Sequence, residues 1–145
     1  MAEREAIFQP WQEEKLYPNK SLPALEAAKC AEAQGEELYN RYHMALFRGL
    51  FGESRDISDP ADLVRIAWEC GLDVNRFAED YANYTYRHRV MEEFKESLAF
   101  FSTQGVLGIP TVLFDGFFPL AGAHPAESYY KVVDKLLEAR AKQRA

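Results

Sequence analysis

Between Gly105 and Gly122 the chain reads GVLGIPTVLFDGFFPLAG, and this stretch restricts the fold more than any other. Two β-rich runs, Thr111–Asp115 and Phe117–Ala121, flank Asp115-Gly116, the dipeptide that most strongly signals a hairpin turn. Pro119 has no N–H to give to a ladder and marks the second run as an edge strand. Pro110 stands at the lip of the first run and is reached through Gly108. An X-Pro bond there is a candidate cis peptide, because cis costs only about 0.5–1 kcal/mol at proline. A trans, purely structural proline at a strand start is the other reading, and the residues alone favour it. In the cis reading the N–H and C=O of Ile109 turn outward and can pair with an extended peptide by strand addition.

Everything before that stretch is helical in pattern, apart from a short run at 5–10, EAIFQP, that reads as a strand ending at Pro10. Ser21 opens a first helix, with Pro23 in its first turn and Gly35 as its stop. A second helix runs from Glu36 to Phe51, where Leu38, Tyr42, Ala45, Leu46 and Gly49 recur at helical spacing. Asp59 caps a third helix that has Pro60 at its first position and Gly71 at its end. Asp73 caps a fourth, VNRFAEDYANY. A fifth, about Thr85 to Thr103, carries Val90, Met91, Phe94, Leu98 and Phe101 as an apolar stripe. The segment GAHP leads into a last amphipathic helix with Val132, Val133, Leu136 and Leu137.

Composition narrows the function classes. The 145 residues suffice for one domain with a core, and 48% apolar with 28% charged residues is ordinary for a globular chain. A net charge of −6 is a poor basis for binding nucleic acid or an anionic membrane. The N-terminal MAEREAIFQPW is charged and lacks the apolar region of a signal peptide, and no run approaches a membrane span, so a cytoplasmic protein is expected. The two cysteines, Cys30 and Cys70, form neither Cys-x-x-Cys nor a metal-type pair. Both fall inside helices, where a free cysteine packs as a small hydrophobe.

The order long helix, G-I-P-T, apolar strand, D-G, strand, G-A-x-P, helix resembles the C-terminal half of the thioredoxin-like fold. More narrowly it is similar to DsbA-family proteins, including the FrnE-type branch. SLPALEAAKCAEAQG, HMALFRGLF and DISDPADLVRIAWECGLD are similar to the helical domain that this family inserts into its thioredoxin core. The resemblance covers roughly residues 6 to 138. It implies an α/β protein, an incomplete thioredoxin-like fold with a large inserted helical domain. Its parts are 1–20 (N-terminal strand and loop), 21–104 (inserted helices) and 105–145 (cis-Pro loop, hairpin and helix). Pro110 then aligns with the family's cis-proline, and Ile109, Pro110 and Thr111 become the expected substrate-binding residues.

The resemblance also exposes what is missing. Such proteins usually carry Cys-x-x-Cys at the N-terminus of the first thioredoxin helix, where helix-end N–H groups favour the thiolate. This sequence has no such motif, and relative to the family it starts near Ile7-Phe8-Gln9-Pro10. Thiol–disulfide oxidoreductase activity on a protein or peptide thiol is the implied function, impaired here, with no catalytic residue assigned. Because the missing opening strand would be central, the expectation is a homo-oligomer formed through an exposed sheet edge. Kappa-class glutathione transferases and 2-hydroxychromene-2-carboxylate isomerases share these features, so a glutathione-dependent relative is one alternative; otherwise no cofactor is expected. A non-catalytic dimerisation or binding module is another. His43, His88 and His124 share no metal spacing, and no metal is expected. His124 reads as loop structure before the last helix, and Tyr81, Tyr84 and Tyr86 as core or interface.

Overall fold

The computed structural model describes residues 8–15, 17–104, 108–116 and 118–143. The elements follow in the order α1 (Leu22–Glu32), α2 (Glu36–Glu53), α3 (Pro60–Glu69), α4 (Val74–Ala82), α5 (Arg87–Gln104), β1 (Thr111–Phe114), β2 (Phe118–Ala121) and α6 (Ala126–Gln143). A mostly helical chain with one antiparallel strand pair is consistent with the thioredoxin-like α/β fold with a helical insertion. No helix among the described residues is long and apolar enough to cross a membrane.

The chain divides into two compact units, Met1–Phe94 and Lys95–Ala145. The division falls within α5, ahead of the 104/105 boundary drawn from the resemblance, and residues 1–20 belong to the unit that holds α1 to α4.

The first unit is built on α1. Ala24, Ala27, Ala28, Cys30 and Ala31 are all buried, and such small side chains let neighbouring helices approach closely. Against them pack Tyr42 and Leu46 of α2, Leu63, Ile66 and Ala67 of α3, and Phe77 of α4. Tyr42 and Phe77 are fully enclosed, their rings 5.4 Å apart and tilted by 58°, and the Tyr42 hydroxyl donates to the Leu63 carbonyl at 3.2 Å. The buried phenol therefore has its hydrogen bond.

The helix starts follow the sequence chemistry. Asp59 accepts from the Ala61 N–H at 3.3 Å and Asp73 from the Arg76 N–H at 3.1 Å, each satisfying a donor at a helix end. Ser21 precedes α1 without a side-chain cap bond. The Gln34 amide joins two turns, donating to the Asp73 carbonyl at 3.0 Å and accepting from the Asp73 N–H at 2.8 Å. The first two turns of α5 dock on α1 through Arg87, which pairs with buried Glu26, and through Glu93, which pairs with Lys29 at 2.6 Å.

The expected strand at 5–10 is corrected over Phe8–Pro10, which form no strand. The Gln9 N–H donates instead to the Phe51 carbonyl at 2.8 Å, and Phe8 sets its ring 5.6 Å from that of Phe51. Phe51 is in the last turn of α2, where carbonyls lack intrahelical donors, so the segment satisfies a helix end rather than a sheet. Residues 5–7 lie outside the described residues.

In the second unit β1 and β2 pair antiparallel, with Thr111 opposite Ala121 and Phe114 opposite Phe118. The chain reverses through Asp115 (φ 55°) and Gly116 (φ 78°), the positive angles that this dipeptide suits. Phe117 lies outside the described residues. Helix α6 meets the hairpin where Tyr129 stands 6.3 Å from Phe114 and where Arg140 pairs with Asp115.

Candidate functional site

Two hydrogen bonds shape the chain just before β1. The Thr111 hydroxyl donates to the Gly108 carbonyl at 2.7 Å, and the Gly122 N–H donates to the Pro110 carbonyl at 2.7 Å. The Ile109–Pro110 peptide is cis, and Gly108 has φ 150°, an angle that residues with a side chain rarely adopt. His124 closes the far side of the hairpin by bonding the Ala121 carbonyl through Nε2 at 2.9 Å, which places it in loop structure as its sequence context suggests.

Ile109 sits between these ties and shares in none of them. It is 85% exposed, and among the described residues nothing bonds its backbone N–H or C=O. Beside it, the edge of β1 that faces away from β2 has no strand partner among the described residues. Ile109, Pro110 and Thr111 are thus brought to one corner of the hairpin, and their roles differ. Thr111 is half-buried with its hydroxyl committed to the loop, whereas the main-chain groups of Ile109 have no partner among the described residues. Gly122, whose N–H holds Pro110, was not singled out from the sequence; only the strand register reveals it.

The cysteines lie elsewhere, in the core of the first unit. Cys30 is 2% exposed and Cys70 is 5% exposed. Burial pushes the Cys30 thiol up to about 12, with the carboxylates of Asp80 and Glu26 adding to it. Burial likewise raises the Cys70 thiol, against the opposing pull of Arg41. A thiol so placed is protonated at neutral pH and is neither a nucleophile nor a ligand. The histidines also stay apart: His43 lies between Tyr39 and Phe47 on α2, tilted to the first and edge-on to the second, and no three potential ligands gather around a common point among the described residues. Tyr81 packs on the core with its ring stacked on Phe77, while Tyr84 is exposed under the Arg87 guanidinium, 3.8 Å from its ring centre.

A charged cavity of about 640 Å³ opens in the first unit between Lys15, the 53–56 turn and α3. Its carboxylates are occupied: Glu53 and Glu69 hold Arg55 at 2.8 and 2.7 Å, and Asp62 accepts the Asp56 N–H at 3.1 Å. No local motif marks it, because its walls come from separate segments.

The family described as the DSBA-like thioredoxin domain matches residues 1–135. The chain belongs to the DSBA-like thioredoxin family. Among solved structures, this DSBA-like chain is similar to a putative protein disulfide isomerase from Nitrosomonas europaea, with a TM-score of 0.70 and 20% sequence identity. The likeness covers 90% of this chain and 66% of the other, so the DSBA-like chain spans just under two thirds of that protein's length, and at this identity the likeness speaks for the fold. No curated protein matches it.

Proposed function

We propose that this DSBA-like chain holds an extended, thiol-bearing segment of a protein at Ile109–Pro110–Thr111, and that it exchanges disulfides poorly by itself. The observation that carries the reading is the exposed Ile109, whose main-chain donor and acceptor have no partner among the described residues, beside an edge of β1 that has no strand partner among them. Main-chain groups of this kind add an extended peptide whatever its sequence. Membership of the family supplies the thiol–disulfide oxidoreductase context. Poor exchange follows from the sulfur inventory: both thiols are buried with raised pKa values, and attack on a disulfide needs a thiolate.

The test is fluorescence anisotropy with a labelled, unstructured, cysteine-containing peptide. Saturable binding is expected, about tenfold weaker for Ile109→Asp and lost when alternate peptide amides are N-methylated. Equal binding of the methylated peptide would remove the main-chain docking. In a parallel insulin-reduction assay the chain should stay near background, unchanged by Cys30→Ser or Cys70→Ser. Turnover that disappears with either substitution would place the chemistry on that cysteine after all.

A further inference from the structure

Helix α2 carries a row of rings, exposed at Phe47 and Phe51 and half-buried at Tyr39 and His43, of which Tyr39 also packs on the core. Tyr39 and His43 are 5.5 Å apart, His43 and Phe47 5.0 Å, Phe47 and Phe51 6.3 Å, and Phe8 extends the row 5.6 Å beyond Phe51. The spacing of four residues keeps these side chains on one side of the helix. Phe47 is 47% exposed, and Met44, beside it on the same side, is 58% exposed. The opposite side of α2, with Tyr42, Leu46 and Gly49, is the one that faces the core. A run of rings exposed at Phe47, Phe51 and Phe8 on a chain of net charge −6 is poorly suited to an anionic membrane and well suited to a protein surface.

The charges bordering the row point to a particular partner. Glu36 and Glu37 stand at its N-terminal end, and Arg48 stands on the same side in its C-terminal half. Neither Glu36 nor Arg48 has an ion-pair partner among the described residues, while Glu37 reaches Arg41 at 2.7 Å. A row that is acidic at one end and basic towards the other complements itself when turned end for end. A twofold interface requires that relation, because each patch meets its own copy.

We propose that α2 is a self-association surface on which two copies of this chain pack antiparallel along Tyr39–Phe51, crossing near His43 and Met44. In that arrangement Glu36 and Glu37 of one copy come level with Arg48 of the other to within about one turn of helix, at its pitch of about 5.4 Å. The rings of both copies leave water together. Met44 lies nearly on the axis, with about 1.5 Å of rise separating it from its symmetry mate, whereas Asn40 is offset from its own mate by roughly 10 Å. The contact differs from the sheet-edge pairing expected from the sequence.

The experiment uses the full chain. Analytical ultracentrifugation across concentrations should show a monomer–dimer equilibrium, shifted at least tenfold towards monomer by Phe47→Glu and by Met44→Glu, with far-UV circular dichroism unchanged. Val112→Lys, on β1, should leave the equilibrium where it is. Under oxidation Met44→Cys should form a covalent dimer and Asn40→Cys should not, the native thiols being buried. A monomer at every concentration overturns the proposal. So does a dimer that survives both α2 substitutions, or one that Val112→Lys alone dissolves, since these would place the contact on another face or on the sheet edge.

Discussion

At Cys30 the surroundings matter more than the element. Its thiol and that of Cys70 are held protonated by burial, so neither should react with a maleimide at pH 7 until the protein is denatured; mass spectrometry of the native and denatured chain checks this. The same shift sets a pH dependence. The folded state keeps the Cys30 proton up to about 12, whereas the unfolded chain loses it near the ordinary thiol value of 9.0. The contribution is complete below that unfolded value. It is lost as the pH rises from there towards the folded value, at up to about 1.4 kcal/mol per pH unit. Denaturant midpoints between pH 8 and 10.5 should fall for the wild type and fall less for Cys30→Ala. The structural reading of both cysteines was legible from the helical pattern around them, although Cys70 caps α3 rather than lying inside it. The pairing of Gly122 with Pro110 was not, because a hydrogen bond between residues 12 positions apart depends on the strand register.

Among the elements, the helices with their own start and stop chemistry were the most legible. Asp59 followed by Pro60 predicts the start of α3, and the Asp59 carboxylate does accept the Ala61 N–H. Asp59→Ala should therefore cost about 1 kcal/mol, seen as a lowered urea midpoint at unchanged slope. Phe77 lies fully buried at the contact of α1, α3 and α4, so Phe77→Ala should cost about 3–5 kcal/mol in the same titration. Tyr42→Phe removes only the bond to the Leu63 carbonyl and should cost about 0.5–1.5 kcal/mol. The run EAIFQP shows where local pattern fails. An alternation this short has no strand to pair with, and α2 offers Gln9 an unpaired carbonyl. The hairpin was legible because Asp115 and Gly116 encode its reversal locally, whereas what lies along the outer edge of β1 is a matter of partners.

For the molecule as a whole, the two units differ in what holds them. Among the described residues every buried apolar side chain lies between Ala24 and Val90, and none from Lys95 onward is buried. A hairpin with so little buried surface is marginal by itself. Hydrogen exchange should accordingly protect the amides of α1 and α3 by several orders of magnitude more than those of β1 and β2, with local opening rather than global unfolding governing the strands. A melting curve of this protein is then a report on α1 to α4. Gly108→Ala, which asks an alanine to take φ 150°, would distort the docking corner while leaving the transition temperature where it was. Thermal stability is therefore blind at the very corner where peptide docking is proposed. A screen that ranks variants by melting would pass a chain whose working end had come undone, and only a local signal, such as the amide resonances of Ile109 and Gly122, would catch it.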